Sequence, residues 1–563
     1  MMLYQSYVHG VSKKPLLGET LGANFDAAVE KWADQDALIV RHQNIRWTYL
    51  ELQNKVNAFA AGLVSLGLQP GDRVGVWSPN NSEWVVTQYA TAKAGIILVN
   101  INPAYRIAEL EYAINKVGCK ALILAASFKS SNYIAMVEEL APEISKSKPG
   151  EINSIRLPTL KTVIQIEGET NDGYFDFKQI PALASTKDHQ RIENLSDQLQ
   201  FDDPINIQFT SGTTGFPKGA TLTHFNVLNN GYFTGEGLKL SSNDKLCVPV
   251  PLYHCFGMVL SNVAALTHGT ALVYPAEAFD PLTVLETVEA ERCTALHGVP
   301  TMFIAELGHP RFKEFDLSSL RTGIMAGSPC PIEVMRRVVE EMHCNEMIIA
   351  YGMTETSPII TLSETDDPIE KQVTTVGRIF PHVEVKIIDD IGRIVVPGET
   401  GELLARGYNV MQGYWDDPDL TAESIDVAGW MHTGDLATMD AEGFCNIVGR
   451  VKDMVIRGGE NIYPREIEEY LYRYSKINDV QVFGIPDVKF VEELCAWIIL
   501  KSGETATEDD IRGFCQGQIA HYKIPRYIRF VDSFPMTITG KVQKFAMRDA
   551  MIEELGIDEV KTA

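Results

Sequence analysis

A short apolar run, Ile205 to Phe209, leads into Thr210-Ser211-Gly212-Thr213-Thr214-Gly215-Phe216-Pro217-Lys218-Gly219, and a helical pattern opens at about Thr223. Strand, glycine-rich turn and helix in that order demand a fold that presents a loop at the carboxyl end of a strand. Gly212, Gly215 and Gly219 let the backbone turn tightly and approach a bulky anion. Ser211, Thr213 and Thr214 add hydroxyl donors and Lys218 adds a positive charge. Backbone N–H groups and hydroxyls aimed into one concavity make a phosphate cradle. Lys218 is followed by Gly219, with no Ser/Thr for a metal, so this is not a Walker A loop. A metal ligand has to come from elsewhere.

The surrounding pattern alternates. Helical spacing over Thr48 to Gly67 is followed by a Pro-Gly-Asp turn and a strand, Arg73 to Trp77. Trp84–Ala94 and Ile107–Val117 read as helices, and Ile96–Asn100 and Ala121–Leu124 as strands. A second alternating run begins near residue 203, with a strand at Val248–Leu252, helices at Pro281–Glu291 and Val334–Met342, and strands at Ala295-Leu296 and Glu346–Ala350. Strands alternating with helices predict α/β architecture with doubly wound parallel sheets. In such sheets ligands sit at the carboxyl ends of strands. From Val383 to Met439 the elements shorten to strands and turns, a small β subdomain. After Arg450 come a helix at Pro464–Tyr474, strands at Val480–Phe483, Ala496–Leu500 and Tyr527–Val531, and a helix at Glu508–His521. The division expected is a large domain, 1–451, and a small mobile α+β domain, 452–563; a chain of 563 residues exceeds one core.

A formal net charge of −25 argues against a nucleic-acid partner and against broad anchoring on anionic lipid. No run approaches the length of a membrane span, and the N-terminus has no signal-peptide core. Nine scattered cysteines suit a reducing, cytoplasmic setting, with Cys247 and Cys255 read as buried packing thiols. Peripheral membrane contact and a homodimer are both compatible with this composition.

Four further motifs follow the loop: Tyr351-Gly352-Met353-Thr354-Glu355-Thr356, Thr433-Gly434-Asp435, Gly449-Arg450-Val451-Lys452-Asp453 and Thr539-Gly540-Lys541. Together, and in this order, they resemble the adenylate-forming superfamily of acyl-CoA synthetases, peptide-synthetase adenylation domains and beetle luciferases. The runs PLYHCFG, VGRIFPH, GYWDDP and IVGRVKDMVIRGGENIYPREIE are similar to medium-chain acyl-CoA synthetases.

The resemblance implies ATP, Mg²⁺ and CoA as co-substrates and cofactor, and assigns roles that the residue chemistry suits. Glu355 offers the carboxylate oxygen a hard cation prefers, Thr354 a hydroxyl for the α-phosphate, and Tyr351 a flat face for adenine. Asp435 suits both ribose hydroxyls, with Arg450 the second ribose contact by resemblance. Lys541 would stabilise charge on the α-phosphoryl oxygens, and Lys452 would be the hinge. For CoA, Gly458 and Gly459 would line a pantetheine channel, with Tyr522, Lys523 and Arg526 near its adenine and phosphates; an aromatic–basic surface explains that trio equally well. His254, Phe256, Ala326 and Gly327 would wall the acyl pocket; core packing explains Phe256, Ala326 and Gly327 equally well, and a lone histidine such as His254 is more often a packed or solvated residue.

The activity expected is ligation of a fatty acid, favoured as medium-chain, to CoA through an acyl-adenylate. Alternatives are an aryl or short-chain acid CoA ligase, an adenylating enzyme loading a carrier protein, and a nucleotide-binding protein that has lost catalysis.

Overall fold

The computed structural model describes residues 4–210, 217–328, 330–450, 453–457, 460–487, 490–516, 518–537 and 542–557. Two large mixed sheets carry the N-terminal part. In the eight-stranded sheet, Phe175–Asp176, Thr162–Gln165, Ala121–Leu124, Arg73–Trp77, Ile97–Asn100 and Pro204–Thr210 run parallel, in that spatial order. Lys218–Thr223 and Gly413–Tyr414 complete it as antiparallel strands. The nine-stranded sheet is parallel from Glu346–Gly352 through Thr322–Ala326, Ala295–Leu296, Lys245–Cys247 and Ala271–Tyr274 to Asp36–Val40. Antiparallel strands finish both of its edges.

The apolar runs that mark these strands are nearly continuous because both faces are covered. In the eight-stranded sheet Leu98, Ala121 and Ile123 face one core, while Ile97, Val99, Leu122 and Leu124 face another. The first core reaches from Leu21 to Cys445 and takes in residues of both large sheets and of the β subdomain. The helices between strands start on side-chain caps: Thr48 and Glu51 form a reciprocal box at Tyr49–Ser65, and Asp280 caps Pro281–Glu291.

Most sequence-derived elements appear within a residue or two of their predicted bounds. Val248–Leu252 does not form a strand. The strand stops at Cys247, because Pro249 and Pro251 cannot donate to a ladder. The subdomain sheet is a five-stranded antiparallel one that recruits Tyr7–His9 from the N-terminus and Cys445–Arg450, and a short helix, Pro418–Ser424, interrupts its sequence. Glu508–His521 is shorter than predicted, ending at Cys515. A final helix, Lys544–Leu555, went unpredicted.

Beyond Val455 a separate sheet and two cores of its own form the small domain. It touches the large domain through Arg465, whose guanidinium donates to the Ile447 carbonyl at 2.6 Å. Among the described residues no helix is long and apolar enough to cross a membrane.

Candidate active site

Two parallel strands deliver the motifs. Thr210 ends Pro204–Thr210, and Tyr351-Gly352 ends Glu346–Gly352. At Gly352 a Cβ would lie 1.7 Å from the Pro358 carbonyl oxygen, so only glycine lets the chain double back there. The Thr354–Thr356 turn that follows is held from outside. Met411 donates its N–H to the Glu355 carbonyl at 2.9 Å, and Ser357 donates its hydroxyl to the Asn409 carbonyl. Asn230 exchanges two hydrogen bonds with the backbone of Ile359.

Glu355 is buried, 6% exposed as a whole residue. Its Oε1 accepts from Thr210 Oγ1 at 3.2 Å and from the Tyr414 hydroxyl at 2.8 Å. Among the described residues no hydrogen bond to Oε2 is found. That oxygen suits a hard divalent cation, which needs few protein carboxylates when phosphates supply other ligands. Among the described residues there is no cluster of three or more His, Cys, Asp or Glu groups that could hold a metal.

Tyr414 joins this carboxylate to Lys218, at the end of the glycine-rich loop. Its strand pairs with Lys218–Thr223, and the Lys218 ammonium lies 5.4 Å from its ring centroid. Burial, and then the Glu355 charge, hold the Tyr414 phenol well above its ordinary range. The tyrosine is therefore a donor at every working pH.

Two of the residues expected to hold the nucleoside also meet. The Tyr351 hydroxyl donates to Asp435 Oδ2 at 2.6 Å, and Asp435 is buried. Asp435 pairs in register with Arg450 on the neighbouring strand, so the two ribose candidates lie side by side along the backbone.

The loop bearing His254 is pinned at several points. Asn80 donates to the Val250 carbonyl and accepts from Leu252 N–H. Asn100 donates to the Tyr253 carbonyl, and the Cys255 thiol donates to Gln208. His254 is half-buried and caps the next turn through the Phe256 N–H. Phe256 is buried, and Ala326 lies opposite Ala350 on the neighbouring strand, one residue before Tyr351. Gly327 follows with φ at 92°.

The described contacts hold the CoA candidates within the small domain. Lys523 pairs with Glu466 at 2.6 Å, Arg526 with Asp487 at 3.2 Å, and Tyr522 packs on the domain core. Ser211 to Phe216, Lys452, Gly458, Gly459 and Lys541 lie outside the described residues. Pro217, at the end of the loop, is half-buried. All nine cysteines are buried and free, and a contact with the Cys293 thiol, then burial, push the Cys247 thiol up.

Sequence reasoning did not single out Tyr414, Asn80, Asn230 or Asn409. GYWDDP signalled Tyr414 only as a matching run; nothing in it predicts a contact with Glu355.

The sequence pattern described as AMP-binding enzyme matches residues 25–415, and the AMP-binding enzyme C-terminal domain matches 466–541. The chain is 48% identical over 558 residues to the protein named medium-chain acyl-CoA ligase ACSF2, mitochondrial, of Danio rerio, covering 99% of this chain and 92% of that one. Among solved structures, an anthranilate CoA ligase in complex with anthranoyl-AMP superposes with a TM-score of 0.84 at 25% identity, covering 97% of this chain and 99% of that one. ATP-bound MatB from Rhodopseudomonas palustris superposes with a TM-score of 0.80 at 28% identity, covering 95% and 99%.

Proposed function

The chain belongs to the AMP-binding enzyme family, and on that premise we propose that it is an ATP-dependent acid–thiol ligase acting on medium-chain fatty acids. The carboxylate attacks the α-phosphorus of ATP, forming acyl-AMP and releasing pyrophosphate. The CoA thiolate then attacks the acyl carbon, forming acyl-CoA and releasing AMP.

What supports this assignment is Glu355, bracketed between Thr210 at the mouth of the phosphate loop and Tyr414 beneath Lys218. Thr210 and Tyr414 both reach Glu355, and Tyr351 reaches Asp435, which supports a reading of one shared crevice. In the proposal, Lys218 and the loop hold the phosphates and Thr354 bonds the α-phosphate. Tyr351 faces adenine, and Asp435 and Arg450 hold the ribose. Glu355 would hold Mg²⁺, which when bound would neutralise phosphate charge. Lys541 stabilises the developing charge at the α-phosphoryl oxygens. His254, Phe256, Ala326 and Gly327 wall the acyl group. Gly458, Gly459, Tyr522, Lys523 and Arg526 serve CoA. The boundary falls at 451/452, and Lys452 is the pivot that brings first the Lys541 loop and then the Gly458-Gly459 channel over the crevice. Nine free thiols suit a reducing compartment, here read as the cytoplasm. A homodimer is the assembly to test by light scattering.

The test is pyrophosphate release across a panel of carboxylic acids, with and without CoA. Release with medium-chain acids, coupled to acyl-CoA formation, supports the proposal. Release favouring aryl or short acids corrects the substrate class. Release with no thioester formed on added CoA rejects the ligase.

A further inference from the structure

Asp435, the ribose candidate, is presented by a distortion of its strand. Where Met431–Met439 pairs with Gly401–Gly407, Glu402 lies opposite Leu436 and Leu404 lies opposite His432. Leu403 therefore faces three residues, Thr433, Gly434 and Asp435. This is a β-bulge, with Gly434 at its centre in the left-handed region at φ 68°. A bulge bends its strand and re-aims a side chain. Here the side chain is that of Asp435, whose Oδ2 accepts from the Tyr351 hydroxyl at the carboxyl end of Glu346–Gly352.

A bulge also takes backbone groups out of the ladder, and each needs another partner. Thr433 serves two of them. Its hydroxyl donates to the Leu403 carbonyl at 2.6 Å and accepts from the Asp435 N–H at 3.1 Å. The Gly434 N–H donates to a side chain outside the turn, Glu402 Oε1, at 3.1 Å. The other oxygen of that carboxylate, Oε2, lies 3.1 Å from His432 Nδ1. Glu402 is thus held between the residue that enters the bulge and the glycine at its centre. A part-exposed Glu–His pair contributes little by itself. The bond to Gly434 matters more, because glycine is the bulge position with the most backbone freedom to lose.

We propose that Glu402 is a positioning residue for the nucleotide: by holding the Gly434 N–H it fixes the bulge that aims Asp435, and so sets how strongly the enzyme prefers a ribonucleotide to its deoxy counterparts. This rests on the reading of Asp435 as the group that accepts from the ribose hydroxyls. Without Glu402 the Gly434 turn relaxes, and the Asp435 carboxylate keeps its charge but loses its aim. The interaction weakened is the one to the hydroxyls, not those to the phosphates, so ATP loses more than an analogue that lacks a hydroxyl.

The experiment compares kcat/KM for fatty-acid-dependent pyrophosphate release with ATP, 2′-deoxy-ATP and 3′-deoxy-ATP. The readout is the ratio of ATP to each deoxy analogue, which general destabilisation of the protein would not move. The unmodified enzyme is expected to favour ATP by about 10-fold or more, because a site that hydrogen-bonds a hydroxyl rejects analogues lacking it. Glu402→Ala is expected to lower that ratio by about fivefold or more. Glu402→Gln, which keeps an acceptor oxygen, is expected to retain most of it. If the alanine variant does not fold, Glu402→Asp, which keeps the charge and shortens the reach, supplies the comparison and is expected to lower the ratio too. Joined to Asp435→Asn, Glu402→Ala is expected to lower the ratio no further than Asp435→Asn alone, since residues acting through one another are not additive. Equal loss with ATP and its deoxy analogues, or no loss, while Asp435→Asn lowers the ratio, overturns the inference and leaves the ribose assignment standing. Additive losses in the double variant overturn it too, placing the effect of Glu402 elsewhere. An unmodified enzyme that shows no preference for ATP, with a ratio unmoved by Asp435→Asn, rejects the ribose assignment itself and the inference with it.

Discussion

Tyr414→Phe removes one oxygen from the candidate metal site and keeps the ring. The lost bond is the 2.8 Å hydrogen bond to Glu355 Oε1. Hydrogen bonds to charged groups contribute roughly 1.5–3 kcal/mol, and about 1.4 kcal/mol is a factor of ten in affinity. If the bond serves chiefly to aim Glu355, Mg·ATP binding is expected to weaken by about 10- to 100-fold. Thr210, at 3.2 Å, remains as the weaker tether. The phenyl ring stays beneath Lys218, whose contact with it is of the order of 1 kcal/mol. Tyr414→Leu removes both, and is expected to lose about a further fivefold, the equivalent of that contact. The assay is calorimetric titration of Mg·ATP, with Mg²⁺ varied at fixed ATP, alongside denaturant unfolding to separate site damage from destabilisation. Glu355→Gln is the reference, because it removes the carboxylate charge and keeps the shape. Unchanged Mg·ATP affinity in Tyr414→Phe, where Glu355→Gln is impaired, refutes the positioning role. Unchanged affinity in both moves the metal ligand to another residue.

Three other outcomes are expected. Lys541→Ala lowers acyl-AMP formation from free acid by about 10²-fold or more and spares thioester formation from supplied acyl-AMP; equal loss of both half-reactions contradicts the assigned role. Lys452→Pro, which fixes φ, makes acyl-AMP at a substantial rate in single turnover but transfers it poorly to CoA, while Lys452→Ala does both; a proline variant completing both steps in normal proportion rules out rotation there. His224 is buried, and its imidazole is pushed down to about 3. Its neutral form therefore contributes fully above the unfolded value near 6.5, and that contribution is lost as pH falls from there toward 3. Relative to His224→Gln, the unmodified protein is expected to lose roughly 2 kcal/mol more in urea between pH 7 and pH 5, at about 1.4 kcal/mol per unit below 6.5. Parallel stability curves for the two proteins rule out a neutral buried ring.

The alternation of strands and helices was readable along the chain because period and punctuation are local properties. Arg73–Trp77, Ile107–Val117, Ala121–Leu124 and Pro281–Glu291 form with the bounds their patterns predict. The elements that departed did so for reasons spread along the chain or beyond their own segment. Two prolines end the Lys245–Cys247 strand early, and Tyr7–His9 becomes a strand only because Val383–Ile388 lies beside it.

The chemistry divides in the same way. Residue type and order named Glu355, Tyr351, Asp435 and Lys218, because a carboxylate, an aromatic ring and an ammonium keep their chemical character whatever surrounds them. Their usefulness depends on partners far away in sequence. Glu355 is aimed by Tyr414, 59 positions later, and by Thr210, 145 positions earlier. Tyr351 meets Asp435 across 84 positions. Hydrogen-bond geometry and desolvation act over a few ångströms of space, and no local pattern of residues encodes which side chains will share that space.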